Sequence, residues 1–177
     1  ELSGTVAAQE TYPTRPVRMI VPYGAGGVSD IMGRVVAQKM TDLFGQPMVV
    51  ENRAGAGGML GTGMVAKSAP DGYTIVLSSL SAYAIGPRLV KDAPYDPIKD
   101  FTAIGGVAIA PTILTVNASL PLQSVKDVIA YARANPGKLS YGSSGIGSVG
   151  HISGEVLRTS TGLELVHVPY KTAAQAY

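Results

Sequence analysis

Two glycine-rich loops carry the residue types best suited to hold a small anion. The first, loop one, covers residues 23–30 and reads Tyr-Gly-Ala-Gly-Gly-Val-Ser-Asp. Because glycine allows close approach to the backbone, the N–H groups of Gly27, Val28 and Ser29 can point at an anion at a helix N-terminus. The alternative interpretation is a tight turn in which Ser29 is an ordinary helix N-cap.

The carboxylate of Asp30 complicates anion binding at loop one. Its negative charge falls in the first turn of the predicted helix, where it already occupies the positive end of the helix dipole. A bare anion would be repelled there. We therefore expect Asp30 to cap the helix, or to orient a water molecule or a ligand amine.

The second loop, loop two, covers residues 142–150 and also leads from a predicted strand into a predicted helix. It contains the spacing Gly145-x-Gly147-x-x-Gly150, which is typical of dinucleotide-binding folds. That fold needs an acidic residue about 20 positions later, at the end of the next strand, and this strand ends at Pro169 instead. The serines around the loop suit a small oxygen-rich ligand better; they are Ser140, Ser143, Ser144 and Ser148.

Neither loop carries a complete catalytic set. The near match to a hydrolase nucleophile elbow at residues 142–145 is one residue short, and His151 is the one base available to it. His151 falls in the first turn of a predicted helix, so it is either a donor to a ligand or the loop, or a structural histidine. With no cysteine and two histidines, thiol chemistry and most metal hydrolases are excluded. The sequence predicts binding, with no enzymatic activity, cofactor or metal.

The elements that position these loops form two similar α/β units in series. The first is predicted to have strands over 17–22, 48–50 and 73–77, with a helix capped by Ser29 that ends at Gly45 and a short second helix. The second is predicted to have strands over 112–116, 139–141 and 163–168, with helices from Ser124 to about 135 and from about 148 to 160. This order requires parallel sheets, whose carboxyl edges are common ligand sites.

Composition excludes several classes of partner. The formal net charge is +2, from 14 basic and 12 acidic residues that are dispersed along the chain, which does not fit nucleic-acid binding. No apolar run approaches the roughly 20 residues that a membrane-spanning helix needs. Residues 1–8 end in Val-Ala-Ala, a form that precedes signal-peptidase cleavage, so they are either the tail of a leader or a structureless arm.

Taken together, the motifs resemble the Bug-type receptors, which are the extracytoplasmic solute receptors of tripartite tricarboxylate transporters. Residues 21–30 are similar to the signature V-P-[FY]-x-x-G-G-x-x-D, and the similarity extends over nearly everything from Tyr12 to Lys171. Further matches cover residues 49–58, 69–74, 95–101, 136–145 and 167–171. The resemblance implies a two-lobed periplasmic-binding-protein fold without catalysis, which binds a small carboxylate between its lobes and serves membrane transporter subunits.

Carried over residue by residue, the resemblance implies a binding site built from both lobes. Its members are Tyr23, Gly27, Val28, Ser29 and Asp30 from the first lobe and Ser143, Ser144, Gly145, Ser148 and His151 from the second. Ser79, Ser81 and Tyr170 complete the predicted set, with loop polarity and a buried ring as the alternative interpretation. We divide the chain into an arm at 1–11, a first lobe at 12–105 and a second lobe at 106–177.

Two departures from the family pattern matter. Lys171 is followed by Thr172, where the family usually has glycine, and the chain stops at Tyr177, whereas members of the family continue. We therefore expect an amino-terminal fragment whose incomplete lobes leave strand edges open for self-association. The rival hypothesis from another class is a nucleotide-dependent α/β enzyme that uses Gly145, Gly147 and Gly150.

Overall fold

The structure, a computed structural model, describes residues 12–170 and 172–176. The strands are β1 (Val17–Val21), β2 (Met48–Asn52), β3 (Thr74–Val76), β4 (Ser140–Ser143) and β5 (Val166–Pro169). The helices are α1 (Val28–Phe44), α2 (Met59–Ala66), α3 (Gly86–Leu89), α4 (Val125–Ala134) and α5 (Val149–Thr161). Short 3-10 turns lie at Ala56–Gly58 and Ala173–Gln175, and a π-helical turn at Ser81–Ile85 leads into α3. No helix in the described ranges is both long and apolar enough to cross a membrane.

The first α/β unit, which holds β1 to β3 with α1 and α2, is built on a parallel sheet of order β2-β1-β3. Its central strand is almost wholly apolar because it pairs on both sides and is packed by helices, so Val17, Met19, Ile20 and Val21 are buried. Val21 at the end of β1 lies opposite Asn52 at the end of β2. This register brings Asn52 beside loop one.

Helix α1 begins earlier than the sequence predicts. Its N-cap is Gly27, in an extended conformation, and Ser29 lies inside the first turn, so the prediction of Ser29 as N-cap is wrong. The reason is local: Gly26 has φ +79° and its N–H is bonded by the carboxylate of Asp30, so the chain turns before Ser29. The predicted end is confirmed, since Gly45 adopts the left-handed conformation and its N–H bonds to the carbonyl of Thr41.

The second α/β unit, which holds α4, β4, α5 and β5, has a two-stranded parallel sheet. The predicted starts of both helices, at Ser124 and at about residue 148, are confirmed. The hydroxyl of Ser124 accepts from the N–H of Asp127 at the start of α4, and Ser148 accepts from the N–H of His151 at the start of α5. The prediction of a Gly/Ser loop that leads into a helix N-terminus is therefore correct here.

The predicted strand at 112–116 is wrong. Residues 101–117 contain neither helix nor strand, and large apolar side chains along them face outward, with Ile104 84%, Ile109 99% and Ile113 76% exposed. A strand needs a neighbour to take up its backbone hydrogen bonds. Among the described residues β4 and β5 pair with each other and no other strand adjoins this segment, so its strand-like composition is not realised.

Candidate functional site

Three segments, two of them glycine-rich and one serine-rich, meet where the parallel strands end. Loop one follows β1, a turn at residues 55–58 follows β2, and the polar run 78–81 follows β3, so all three leave the same edge of the first sheet. Loop two of the second unit packs against this edge. A Cβ built on Gly57 would lie 3.2 Å from the carbonyl carbon of Gly147.

Loop one is held by the buried carboxylate of Asp30. Its Oδ2 accepts from the Gly26 N–H at 2.8 Å and from Arg34 Nε at 3.2 Å. Its Oδ1 accepts from Asn52 Nδ2 at 3.0 Å and lies 3.0 Å from Arg34 Nη2. The side-chain amide of Asn52 also donates to the carbonyl of Tyr23 at 3.0 Å. Both carboxylate oxygens are thus fully used in fixing the loop.

The charge at Asp30 is balanced within the loop. The hydrogen bond from Gly26, with those from Arg34 and Asn52, holds the pKa of the Asp30 carboxyl below its ordinary value although burial acts in the opposite direction. Asp30 is therefore ionised at neutral pH and forms an ion pair with Arg34. Its geometry is that of a positioning residue that shapes loop one.

The start of α1 retains hydrogen-bonding capacity for a ligand. Its N-cap, Gly27, makes no side-chain cap hydrogen bond, and the first N–H groups of a helix have no acceptor within the helix. Val28 is exposed and Ser29 is half-buried at this end. The backbone at Gly27, Val28 and Ser29 can thus present neutral donors at the positive end of the helix dipole.

Tyr23, Ser79 and Ser81 form a connected hydroxyl network between the ends of β1 and β3. The Tyr23 hydroxyl bonds to Ser79 Oγ, which lies 2.7 Å from Ser81 Oγ. Ser81 is fully buried, whereas Tyr23 and Ser79 are half-buried. The structure therefore brings three predicted site residues together.

Loop two is held by neutral groups. Buried Ser143 has its Oγ 2.7 Å from Nε2 of His167 and accepts from the N–H of Gly145 at 3.1 Å. The rings of His151 and His167 lie 4.3 Å apart between centroids, and the Tyr141 ring stacks on His167 at 4.9 Å. Burial, followed by the charge that His151 can carry, lowers the pKa of His167. A neutral His167 fits this stack.

His151 and Ser148 serve the loop itself. Nδ1 of His151 accepts from the N–H of Gly147 at 3.1 Å, and Ser148 caps α5 through the N–H of His151 at 3.3 Å. The geometry of His151 agrees with the structural interpretation, in which this ring nitrogen carries no proton.

The remaining predicted residues differ in how accessible they are to a ligand. Ser144 is half-buried, and the hydrogen bonds found within the described part of loop two do not involve its hydroxyl. Gly145 adopts φ +110° beside the turn at 55–58. Tyr170 is 39% exposed, so the alternative of a buried ring is wrong for it. Two surface depressions, one between the end of α4 and residues 162–164 and one between α1 and β2, contain none of the predicted residues.

The sequence prediction missed four residues that shape the site. Arg34 and Asn52 hold Asp30, His167 holds Ser143, and Gly57 contacts loop two. The position of Asn52 at the end of a predicted strand neighbouring β1 was the available signal. Arg34 lies one turn after Asp30 on α1, so its (i, i+4) spacing was a second signal. His167 and Gly57 act through contacts between distant segments.

The comparisons with known proteins agree on one family. Residues 32–177 match the model described as the tripartite tricarboxylate transporter family receptor. The chain belongs to this receptor family. Protein BugT of Bordetella pertussis is 43% identical to it over 168 residues, which cover 94% of this chain and 52% of BugT. The receptor chain thus spans about half the length of the curated relatives it matches.

Solved structures give the same fold for this receptor chain. R. palustris Rpa4515 with adipate is 40% identical with a TM-score of 0.88, over 93% of this chain and 55% of that one. MatC from Rhodopseudomonas palustris with bound malate is 30% identical with a TM-score of 0.87, over 93% and 56%. The periplasmic binding protein BugD is 36% identical with a TM-score of 0.81, over 93% and 55%. The predicted periplasmic-binding-protein fold is confirmed, and the nucleotide-enzyme alternative has no support.

Proposed function

We propose that this chain is the amino-terminal part of a periplasmic receptor that captures a small carboxylate and delivers it to a tripartite tricarboxylate transporter. Its two α/β units are the lobes, with the boundary near residue 105, and the ligand lies between loop one and loop two. The observation that carries the proposal is the packing of loop two against the edge where β1, β2 and β3 end, in a member of a receptor family.

The polarity of the two loops supports an anionic ligand held by neutral donors. Helices α1 and α5 both begin at these loops and direct the positive ends of their dipoles toward them. The guanidinium groups near this edge of the first sheet are already paired, Arg34 with Asp30 and Arg53 with Glu51. A hydrogen bond to a charged acceptor contributes about 1.5–3 kcal/mol. Three or four such bonds contribute about 5–12 kcal/mol in total, a range that includes the roughly 8 kcal/mol of micromolar affinity.

The ligands of structural neighbours support dicarboxylates as the first compounds to test, since Rpa4515 holds adipate and MatC holds malate. Export to the periplasm is supported by the likeness to BugD, a periplasmic binding protein. In this proposal residues 1–8 are the remnant of the signal peptide, and the transporter subunits meet the ligand-loaded receptor.

Calorimetric titration of the natural full-length protein tests the function. We expect micromolar binding of adipate, malate or both without any chemical change in the ligand. The matched control is 1,6-hexanediol, which has the carbon chain of adipate but no carboxylates and should not bind. No binding of either carboxylate would overturn the proposal, and binding of NADH in their place would favour the nucleotide-dependent enzyme.

We further propose that the 177-residue chain by itself self-associates through the segment 101–117, which carries exposed apolar side chains and pairs with no strand among the described residues. Sedimentation velocity should show concentration-dependent dimers or larger species. Ile113→Lys should reduce association, whereas Ile98→Lys should not, because Ile98 is equally exposed (77% against 76%) but lies outside the segment. A compact monomer at every concentration would contradict the proposal.

A further inference from the structure

The turn at residues 55–58 touches loop two backbone to backbone. A Cβ built on Gly57 would lie 2.2 Å from the carbonyl oxygen of Ile146, and Cβ atoms essentially never come closer than 3.0 Å to another heavy atom. The atom that it would meet belongs to the backbone, so no side-chain rotation relieves the clash. A residue larger than glycine at position 57 must therefore push loop two away.

Further glycines line the same contact. A Cβ on Gly145 would lie 3.6 Å from the backbone nitrogen of Gly57, and one on Gly147 would lie 3.8 Å from Cα of Gly86. We name these four residues, Gly57, Gly86, Gly145 and Gly147, the glycine seam. It joins the first α/β unit to the second across almost ninety positions of sequence.

We infer that Gly57 is a positioning residue for the ligand, because it sets how closely loop two approaches the edge that carries loop one. The part of this inference that concerns the ligand rests on the proposed function. Hydrogen bonds weaken steeply outside a heavy-atom distance of about 2.7–3.2 Å. A displacement of loop two by about 1 Å would therefore prevent donors of both loops from bonding one small ligand together.

Two other glycines separate this contact effect from backbone strain. Gly57 has φ +64°, Gly45 has φ +67° and Gly162 has φ +66°, so alanine at each position meets the same left-handed conformation. A Cβ on Gly45 or Gly162 has nothing within 4 Å. Gly45 ends α1 in the first unit and Gly162 ends α5 in the second, so each unit supplies its own matched control.

The distance between the two units tests the inference without any ligand. The 177 residues contain no cysteine. In the natural full-length protein, Lys39→Cys on α1 and Ser160→Cys on α5 therefore give these residues a single pair of attachment sites for spin labels. We expect Gly57→Ala to lengthen the mean distance between the two labels, measured by double electron–electron resonance, by about 1–3 Å and to broaden its distribution. Gly45→Ala and Gly162→Ala should leave it unchanged. An unchanged distribution in a folded Gly57→Ala would overturn the inference.

Ligand binding and hydrogen exchange complete the test. With adipate and malate as probes, Gly57→Ala should bind at least about tenfold more weakly than either control variant. If the wild-type protein binds neither probe, the proposed function fails while the distance measurement still decides the seam. If Gly57→Ala does not fold, hydrogen exchange of the wild-type protein decides instead: the buried amide of Gly57 should be protected, and fast exchange there would contradict the seam.

Discussion

Loop one is held by charges, whereas loop two is held by neutral rings and hydroxyls. In loop one the carboxylate of Asp30 accepts from the backbone of Gly26 and pairs with Arg34. In loop two Ser143 bonds to His167, and His151 accepts from the loop backbone. Two loops of similar composition, each at the start of a helix, thus reach a fixed shape by different chemistry.

Because of this difference, the two loops should respond differently to pH and to the loss of a charged side chain. An ion pair whose carboxyl pKa lies below its ordinary value keeps its charge state across the physiological pH range. The stack in loop two gains charge on acidification below pH 6.5, because burial lowers the pKa of His167 from that ordinary value. We therefore expect loop one to be sensitive to removal of a charge and loop two to be sensitive to acid.

The largest expected effect is that of Asp30→Ala on stability. Removal of the carboxylate leaves the N–H of Gly26, the amide of Asn52 and the guanidinium of Arg34 without their acceptor. We expect the free energy of unfolding to fall by about 2–4 kcal/mol, as measured by urea denaturation.

Asp42→Ala is the matched control for this change. Asp42 is an acidic residue of the same helix, but it is exposed and bonds to Gln38 on the surface. Its loss should change stability by no more than about 0.5 kcal/mol. Equal effects of the two substitutions would show that Asp30 does not hold loop one.

A smaller effect is expected from Ser144→Ala, measured as affinity for adipate or malate. The Ser144 hydroxyl is available to a ligand, and loss of one hydrogen bond to a carboxylate costs about 1.4 kcal/mol, or about tenfold. Ser119→Ala, on an exposed turn, should leave the affinity unchanged. Ser148→Ala is a less clean test, because Ser148 caps α5 and its loss also destabilises the helix. Unaltered affinity in Ser144→Ala would remove Ser144 from the site.

The smallest effect is expected from acid, acting through His167. Its pKa is lower in the folded protein than the ordinary value of 6.5, so protons bind the unfolded chain more readily. The stabilisation is complete above pH 6.5 and is lost as the pH falls through the folded-state pKa. The groups that face His167 are His151, Tyr141 and Glu155.

Urea denaturation at about pH 7.5 and about pH 5 measures this loss. His167→Gln keeps a side chain that can bond to Ser143 but cannot titrate, so it should flatten the dependence. Asp30 stays ionised over this range and contributes nothing to it. If the stability of His167→Gln depended on pH as that of the wild-type protein does, His167 would not be the cause of the loss of stability in acid.

The sequence predicts the features that depend on neighbouring residues. The strand at β1, the end of α1 at Gly45 and the start of α4 at Ser124 are all confirmed, because apolar runs, glycine at a helix end and serine at a helix start act locally. The strand at 112–116 fails because a strand also needs a partner, which composition does not supply.

The sequence predicts where the site lies but not the contacts that hold its residues. Glycine and serine at the carboxyl ends of strands locate both loops correctly. The roles of Asp30 and Ser143 are different, because they depend on Asn52 and His167, which lie 22 and 24 positions away along the chain. The contact of Gly57 with loop two depends on the packing of the two units. The glycine-rich sequence at residues 55–58 by itself predicts a turn and not this contact.

The most direct test of the central claim is the salt dependence of carboxylate binding by the full-length protein. Adipate and malate are titrated at about 50 mM and about 500 mM sodium chloride, where exposed charges are screened to very different extents. Neutral donors and helix ends in a closed site predict a change in affinity of less than about threefold. A loss of affinity of more than about tenfold would show that exposed lysine or arginine side chains hold the ligand, and would contradict the account.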